Sequence, residues 1–129
     1  MFSFKPIDKQ QVDDLFKQNN IAPTDTSMAV IAFNSEDNKE YGYCLFDYEN
    51  LTATIFVLMY SNKYHFLPEC LIKAALNFAA NRGAFIAQCS NVSIEPELLK
   101  LGFRREDNIL CTEIPKVMVG NCNCCNQKK

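Results

Sequence analysis

The chain has 129 residues, of which 48% are apolar, and a formal net charge of −2. This length and apolar content suit one domain with a single core and leave too little chain for two. The 13 basic residues form no run longer than a pair, so the concentrated positive surface that neutralises phosphates is missing and nucleic acid is not an expected partner.

The first half of the chain predicts a strand, a helix and three consecutive strands. Residues 3–7 suit a short strand, and Asp8 is a good N-cap whose capping box is completed by Gln11. Three β-rich runs linked by polar turns follow at residues 28–34, 41–48 and 51–60. In the last run both alternating sets are apolar or weakly polar, which predicts a central strand buried on both sides. One predicted face of this strand carries Ala53, Ile55, Val57 and Met59.

The second half predicts a long helix, a strand, a short helix and a last strand. Pro68 suits the first position of the long helix, and Gly83 suits the left-handed position just after its end. The later elements are a buried strand at 84–89, a helix from Glu95 to Gly102 and a strand at 109–114. The order β-α-β-β-β-α-β-α-β predicts an α/β (α+β) domain with a mixed central sheet and helices on both faces. We therefore expect a domain at residues 1–115 and a Cys-rich tail at residues 116–129.

The composition also predicts where the protein resides. The N-terminus lacks the apolar stretch of a signal peptide, and no segment reaches the ~20 apolar residues that cross a bilayer. We expect a cytoplasmic protein with no membrane partner. In that reducing compartment four of the cysteines are expected to be small buried hydrophobic residues, namely Cys44, Cys70, Cys89 and Cys111.

The element order and two segments, LIKAALNFAANRGAFIAQCS and ELLKLGFRRE, together resemble the GNAT family of N-acetyltransferases. In that family a central strand leads into a phosphate-binding turn, a long helix, a strand, and a short helix ending in Leu-Gly-Phe, here Leu101-Gly102-Phe103. The resemblance covers almost the whole chain in element order and is closest from Leu51 to Arg105, although a second helix usual after the first is absent. It implies a GNAT-like fold and transfer of an acyl group from acyl-CoA to an amine.

The resemblance also implies where acyl-CoA would bind. In the family its pyrophosphate lies on backbone N–H groups where a strand becomes a helix, because a helix N-terminus offers unpaired donors and the positive end of the dipole. Matching Leu71-Ile72 to the family's paired leucines places the cofactor loop at Lys63, Tyr64, His65, Phe66 and Leu67. Lys63 takes the basic position, whereas bulky Phe66 and Pro68 stand where small residues are usual. The resemblance therefore implies a degenerate loop.

The groups that perform the family's chemistry are replaced in this sequence. Thr52 and Thr54 stand at the positions of the general base, and Leu98 stands at the position of a Tyr general acid. His65, the only histidine, is the candidate replacement base because of its titration range; the alternative is an ordinary loop residue. Two hypotheses follow: an acyltransferase-like enzyme that still accepts acyl-CoA, and a noncatalytic GNAT-like module that binds a protein partner or a metal.

Adjacent strands in GNAT folds splay apart at the central strand, which implies a ligand cleft there. Its predicted lining is aromatic: Tyr41, Tyr43, Phe46 and Tyr48. The alternative is that these residues pack in the core, since aromatic residues favour strands.

The tail contains three closely spaced thiols, Cys122, Cys124 and Cys125. Thiolates favour ions such as Zn²⁺ and Cu⁺, which predicts a metal site. Three ligands are one short of a closed zinc site, and the fourth would come from another chain, Cys111, His65 or water. The alternatives are thiol redox exchange, covalent attachment to a partner, or a mobile tail without chemistry.

Overall fold

The computed structural model describes residues 1–118, so the three tail cysteines predicted to bind metal lie outside the described residues. The elements are β1 (Phe2–Pro6), α1 (Lys9–Gln18), β2 (Ser27–Asn34), β3 (Lys39–Glu49), β4 (Thr52–Tyr60), α2 (Leu67–Ala80), β5 (Ile86–Cys89), a 3₁₀ turn (Val92–Ile94), α3 (Glu95–Lys100), β6 (Arg104–Glu106), β7 (Ile109–Glu113) and α4 (Ile114–Met118). The predicted order is confirmed, with β6 and α4 as additions. Within residues 1–118 the helices are too short or too polar to cross a membrane.

The strands form one seven-stranded sheet in the order β1-β2-β3-β4-β5-β7-β6. Among the strands within residues 1–118, only β4 and β5 run parallel, and all other neighbours are antiparallel. The parallel pair requires a crossover connection, and α2 supplies it. The mixed sheet and the central position of β4 are therefore as predicted.

Helices cover both faces of the sheet, as the sequence predicts. Val12 and Phe16 of α1 are buried against Ala29 and Leu45 on one face. The larger core lies on the other face, where α2 contributes Leu67, Leu71, Ile72, Ala75, Leu76 and Ala79.

The predicted ends of the helices agree with the structure. Asp8 Oδ1 accepts a hydrogen bond of 2.9 Å from the Gln11 N–H and so caps α1. Gly83 has a φ of +103°, the left-handed conformation expected after a helix end. The long helix α2 begins at Leu67, one residue before the predicted Pro68.

The predicted alternation along β4 is wrong beyond Ile55. Leu45 of β3 pairs with Val57, and Phe46 pairs with Ile55, so Phe56 is the extra residue of a β-bulge. The bulge moves the alternation by one residue, and Leu58 and Tyr60 follow Ile55 onto the α2 face. Met59 is 51% exposed, so the strand is not buried on both sides along its full length.

The predicted burial of the cysteines is confirmed for three of the four. Cys44, Cys70 and Cys89 are buried, and burial raises the pKa of the Cys44 and Cys89 thiols. Cys70 is disulfide-bonded, so it is not the simple buried hydrophobic residue that the sequence predicts. Cys111 is only partly buried, because its neighbours in β7, Leu110 and Thr112, take the positions that face the core.

The predicted end of the domain at residue 115 falls inside α4. Ile114 and Val117 of this helix are buried in the larger core. The packed chain therefore continues at least to Val117.

Candidate functional site

A gap opens in the centre of the sheet between β4 and β5. These strands pair only over Thr52–Ile55 and Ile86–Cys89. From Phe56 onward, no strand within residues 1–118 pairs with β4 on this side. The bulge at Phe56 bends β4 at this point. We call the space between residues 56–60 and residues 91–97 the β4–β5 gap, and it lies where the resemblance predicts a cleft.

Backbone groups of β4 line one side of the β4–β5 gap. The Ser61 N–H donates a 2.9 Å hydrogen bond to Tyr41 O, so these two residues form a hydrogen-bonded pair of the β3–β4 ladder. Such pairs alternate along an antiparallel ladder with pairs whose backbone groups point outward. The outward pairs here are Tyr60 with Gly42 and Leu58 with Cys44. The N–H and C=O groups of Leu58 and Tyr60 therefore face the gap.

Asn91 joins the two sides of the gap at its closed end. Its Nδ2 donates a 2.8 Å hydrogen bond to Phe56 O, across the point where β4 and β5 separate. Its Oδ1 accepts hydrogen bonds from the Ser93 N–H at 3.0 Å and the Ser93 hydroxyl at 2.8 Å. One side chain thus replaces a strand partner of β4 and caps the helical segment that leads into α3.

A phenol and a carboxylate meet across the open part of the gap. Tyr60 Oη donates a 3.2 Å hydrogen bond to Glu97 Oε2, and Lys100 Nζ lies 4.0 Å from Glu97 Oε1. Burial raises the pKa of Tyr60, and the charge of Glu97 adds to the effect. The phenol therefore keeps its proton at neutral pH while it touches a proton acceptor. Such a pair has the groups that general acid–base chemistry requires.

The residues at the family's acid and base positions perform other tasks. Leu98 is fully buried in the larger core. Thr54 Oγ1 accepts a 3.1 Å hydrogen bond from Gln88 Nε2 on β5. Asp47 is the cross-strand neighbour of Thr54 on β3, and burial, followed by the charge of Glu49, raises the pKa of Asp47. A carboxyl group thus lies beside the predicted base position, on the neighbouring strand.

The N-terminus of α2, where the resemblance places the pyrophosphate, offers few donors to an anion. The Leu67 N–H donates to Tyr64 O at 3.3 Å, and Pro68 has no N–H. Glu69 adds a negative charge in the first turn and lies 3.2 Å from Lys73 Nζ. These features oppose the positive end of the helix dipole.

Aromatic side chains of the loop that precedes this helix pack against aromatic residues of β1 and β3. We call Phe2, Tyr41, Tyr64 and Phe66 the aromatic cluster, in which the Phe2 ring centroid lies 4.9 Å from that of Tyr64 and 5.3 Å from that of Phe66. Tyr41 therefore belongs to this cluster, and Phe46 is fully buried in the core. The predicted cofactor loop packs against β1 and β3 through its aromatic residues.

The two basic members of the predicted loop, Lys63 and His65, are exposed. Lys63 Nζ lies 5.5 Å from the ring centroid of Tyr64, and the ring of His65 lies 6.2 Å from that of Phe66. Lys63 is thus held over an aromatic face, a favourable place for a cation. Leu67, the last residue of the loop, is buried.

A shallow groove of about 300 Å³ lies at the open end of β4. It is lined by Glu40, Tyr41, Gly42, Tyr43, Met59 and Tyr60. Tyr60 therefore belongs both to this groove and to the β4–β5 gap. Among residues 1–118, no three His, Cys, Asp or Glu side chains are grouped to hold a metal ion.

This arrangement, a seven-stranded sheet whose central strand parts from its parallel neighbour just before the long helix, is the GNAT fold. Solved structures confirm it. A protein assigned as a GNAT-family acetyltransferase from Desulfovibrio desulfuricans superposes with a TM-score of 0.67 and 10% identity over 88% of this chain and 99% of that one. The ribosomal-protein-S18-alanine N-acetyltransferase from Escherichia coli gives a TM-score of 0.64 and 13% identity over 88% and 94% of the two chains.

A third similar structure contains a ligand. The PaiA N-acetyltransferase from Thermoplasma acidophilum, in complex with coenzyme A, gives a TM-score of 0.60 and 16% identity over 81% of this chain and 69% of that one. No protein-family model and no curated protein matches the sequence. The shared property is therefore the fold.

Proposed function

We propose that the protein is a cytoplasmic acyltransferase-like protein that binds an acyl thioester of the acyl-CoA type in the β4–β5 gap. The observation that carries this proposal is the open side of β4, where Leu58 and Tyr60 present backbone donors and acceptors in the middle of the sheet. An extended ligand with amide groups can pair with such a strand edge in the way an added strand does. The solved GNAT folds, one of them in complex with coenzyme A, support this assignment.

The groups around the gap suit transfer of the acyl group to an amine. An attacking amine must lose a proton, and the departing thiolate must gain one. Glu97 is a carboxylate that can accept a proton, and Tyr60 is a phenol that can donate one, at a contact of 3.2 Å. In this proposal the pair takes over the roles that Thr52, Thr54 and Leu98 cannot perform, whereas His65 is an exposed loop residue.

The first test is calorimetric titration of the protein with acetyl-CoA and CoA. Because the α2 N-terminus contributes little to anion binding, we expect weak affinity, with Kd on the order of 0.1–1 mM. Desulfo-CoA, which lacks the thiol, is the matched ligand control and should bind about as well as CoA, since the backbone contacts do not involve sulfur. This function is excluded if acetyl-CoA and CoA at millimolar concentration give no heat of binding and do not compete with each other for the protein.

A second candidate function is a noncatalytic binding module. It is favoured by the aromatic cluster, in which the predicted cofactor loop packs against β1 and β3, and by the lack of a base at Thr52 and Thr54. In this case the tail thiols Cys122, Cys124 and Cys125 provide the contact with a metal or a protein partner.

The metal form of this second candidate predicts a stoichiometric ion in protein purified under reducing conditions. Elemental analysis should find about one Zn²⁺ per chain, or per two chains if the tails share one ion. A variant with all three tail cysteines replaced by serine should lose the ion. An ion-free protein whose thiol reactivity does not change on addition of Zn²⁺ would contradict the metal site.

A further inference from the structure

Given the function proposed above, the β4–β5 gap also indicates which acyl thioester it accepts. Acyl-CoA has two parts that a protein can recognise: an extended pantetheine arm with two amide groups, and a nucleotide with a pyrophosphate. The first requires a row of backbone partners, and the second requires concentrated donors or positive charge. In this protein the two requirements are met very differently.

The place for the pyrophosphate is obstructed by three successive residues. The Leu67 N–H is already engaged by Tyr64 O, Pro68 has no N–H, and Glu69 places a carboxylate there, paired with Lys73 at 3.2 Å. Lys63 is the cation of the predicted loop, and its ammonium lies against the Tyr64 ring. A pyrophosphate here would meet a carboxylate and few donors, so its desolvation would be poorly compensated.

The place for the pantetheine arm is intact. Leu58 and Tyr60 each direct an N–H and a C=O into the gap, on a strand whose other side is fixed by the ladder with β3. Of the β4 backbone groups, the Asn91 side chain takes up Phe56 O, at the closed end. The protein thus offers a rigid strand edge of suitable length for a chain with two amides, next to the Tyr60–Glu97 pair.

We propose that the acyl donor is a pantetheine thioester without a nucleotide, either free or attached to a carrier protein through its phosphate. In the transfer, the amine nitrogen forms a bond to the acyl carbon and the C–S bond breaks. The proton lost by the amine passes to Glu97, and the sulfur leaves as the pantetheine thiol with the proton of Tyr60. Return of the proton from Glu97 to Tyr60 along their hydrogen bond restores the pair.

The test compares the affinities of acetyl-pantetheine, acetyl-CoA and adenosine 3′,5′-bisphosphate for the full chain by calorimetry. We expect acetyl-pantetheine and acetyl-CoA to bind within about threefold of each other, and the bisphosphate not to bind at millimolar concentration. If acetyl-CoA binds more than about tenfold tighter than acetyl-pantetheine, the nucleotide is recognised and the inference is wrong. If neither thioester binds, the proposed function itself fails, and the inference with it.

Variants at the start of α2 give a second, independent measurement. The double substitution Pro68→Gly with Glu69→Gln restores an N–H and removes the negative charge, so acetyl-CoA should bind about tenfold tighter while acetyl-pantetheine is unchanged. Glu69→Gln alone leaves the backbone intact, so it keeps the test valid if the glycine impairs folding. It should show part of the gain in acetyl-CoA affinity. Pro115→Gly, in the first turn of α4, is the matched control and should change neither affinity. Equal gains for both thioesters in either α2 variant would contradict the inference.

A third comparison distinguishes a free pantetheine thioester from one attached to a carrier protein. If acetyl-phosphopantetheine attached to an acyl carrier protein binds about tenfold tighter than free acetyl-pantetheine, the donor is carried by a protein. Equal affinities identify a free one. Both results support a donor without a nucleotide, whereas binding of acetyl-CoA alone overturns it.

Discussion

Replacement of Gly42 by alanine is expected to lower the free energy of unfolding by about 3 kcal/mol. A Cβ atom at this position would lie 2.4 Å from Met59 O and 2.9 Å from Tyr60 Cα. Both atoms belong to the backbone of β4 and cannot rotate away. A third contact, 3.1 Å from Leu71 Cδ1, prevents the new methyl group from moving toward α2. The strands β3 and β4 must therefore separate where they meet the groove.

Chemical denaturation with urea measures this effect as a lower midpoint at an unchanged slope. Glu40→Ala, two residues away on the same strand and exposed, is the control and should change stability by less than about 0.5 kcal/mol. The displaced end of β4 carries Leu58 and Tyr60, so Gly42→Ala should also weaken acetyl-pantetheine binding. A loss below about 1 kcal/mol would mean that β3 and β4 are not in close contact at Gly42.

Local signals made much of the fold predictable. Asp8 with Gln11 marks the start of α1, and Gly83 marks the end of α2, because caps depend on a few adjacent residues. The bulge at Phe56 gave no signal, because Phe56, Val57 and Leu58 are all apolar. A shift of the strand alternation by one residue therefore puts no polar residue on an apolar face, and the sequence pattern does not reveal it. The short strand β6 has the sequence Arg-Arg-Glu, which shows no apolar alternation at all.

The site was less predictable because its contacts are long-range. The sequence correctly placed a loop between β4 and α2, which the structure has at residues 61–66. However, Tyr60 and Glu97 are 37 residues apart, and Asn91 and Phe56 are 35 apart. Only the sheet order brings these residues to opposite sides of one gap. The resemblance places the general acid at the position of Leu98, whereas the neighbouring Glu97 is the residue that faces Tyr60.

The same physical feature explains both the gap and its stability. A bulge that ends the pairing of β4 leaves Phe56 O without a ladder partner, and an unsatisfied, partly buried carbonyl is costly. Asn91 removes that cost with a side-chain donor and leaves the next backbone groups, those of Leu58 and Tyr60, available. The gap can therefore stay open beyond Asn91 while the sheet stays intact behind it.

Asn91→Ala is accordingly expected to lower the free energy of unfolding by about 2 kcal/mol. Roughly 1 kcal/mol comes from the lost cap at Ser93 N–H, and about as much comes from the unpaired Phe56 O. Asn91→Asp separates these two contributions to stability, because its carboxylate keeps the cap and cannot donate to Phe56 O at neutral pH.

Ser93→Ala, which removes only an exposed hydroxyl contact, is the control and should change stability by less than about 0.5 kcal/mol. In urea denaturation, Ser93→Ala should be the most stable of the three variants, Asn91→Asp intermediate and Asn91→Ala the least stable. If Asn91→Asp is as stable as the unsubstituted protein, Asn91 acts only as a cap, and another contact must hold β4 at the closed end of the gap.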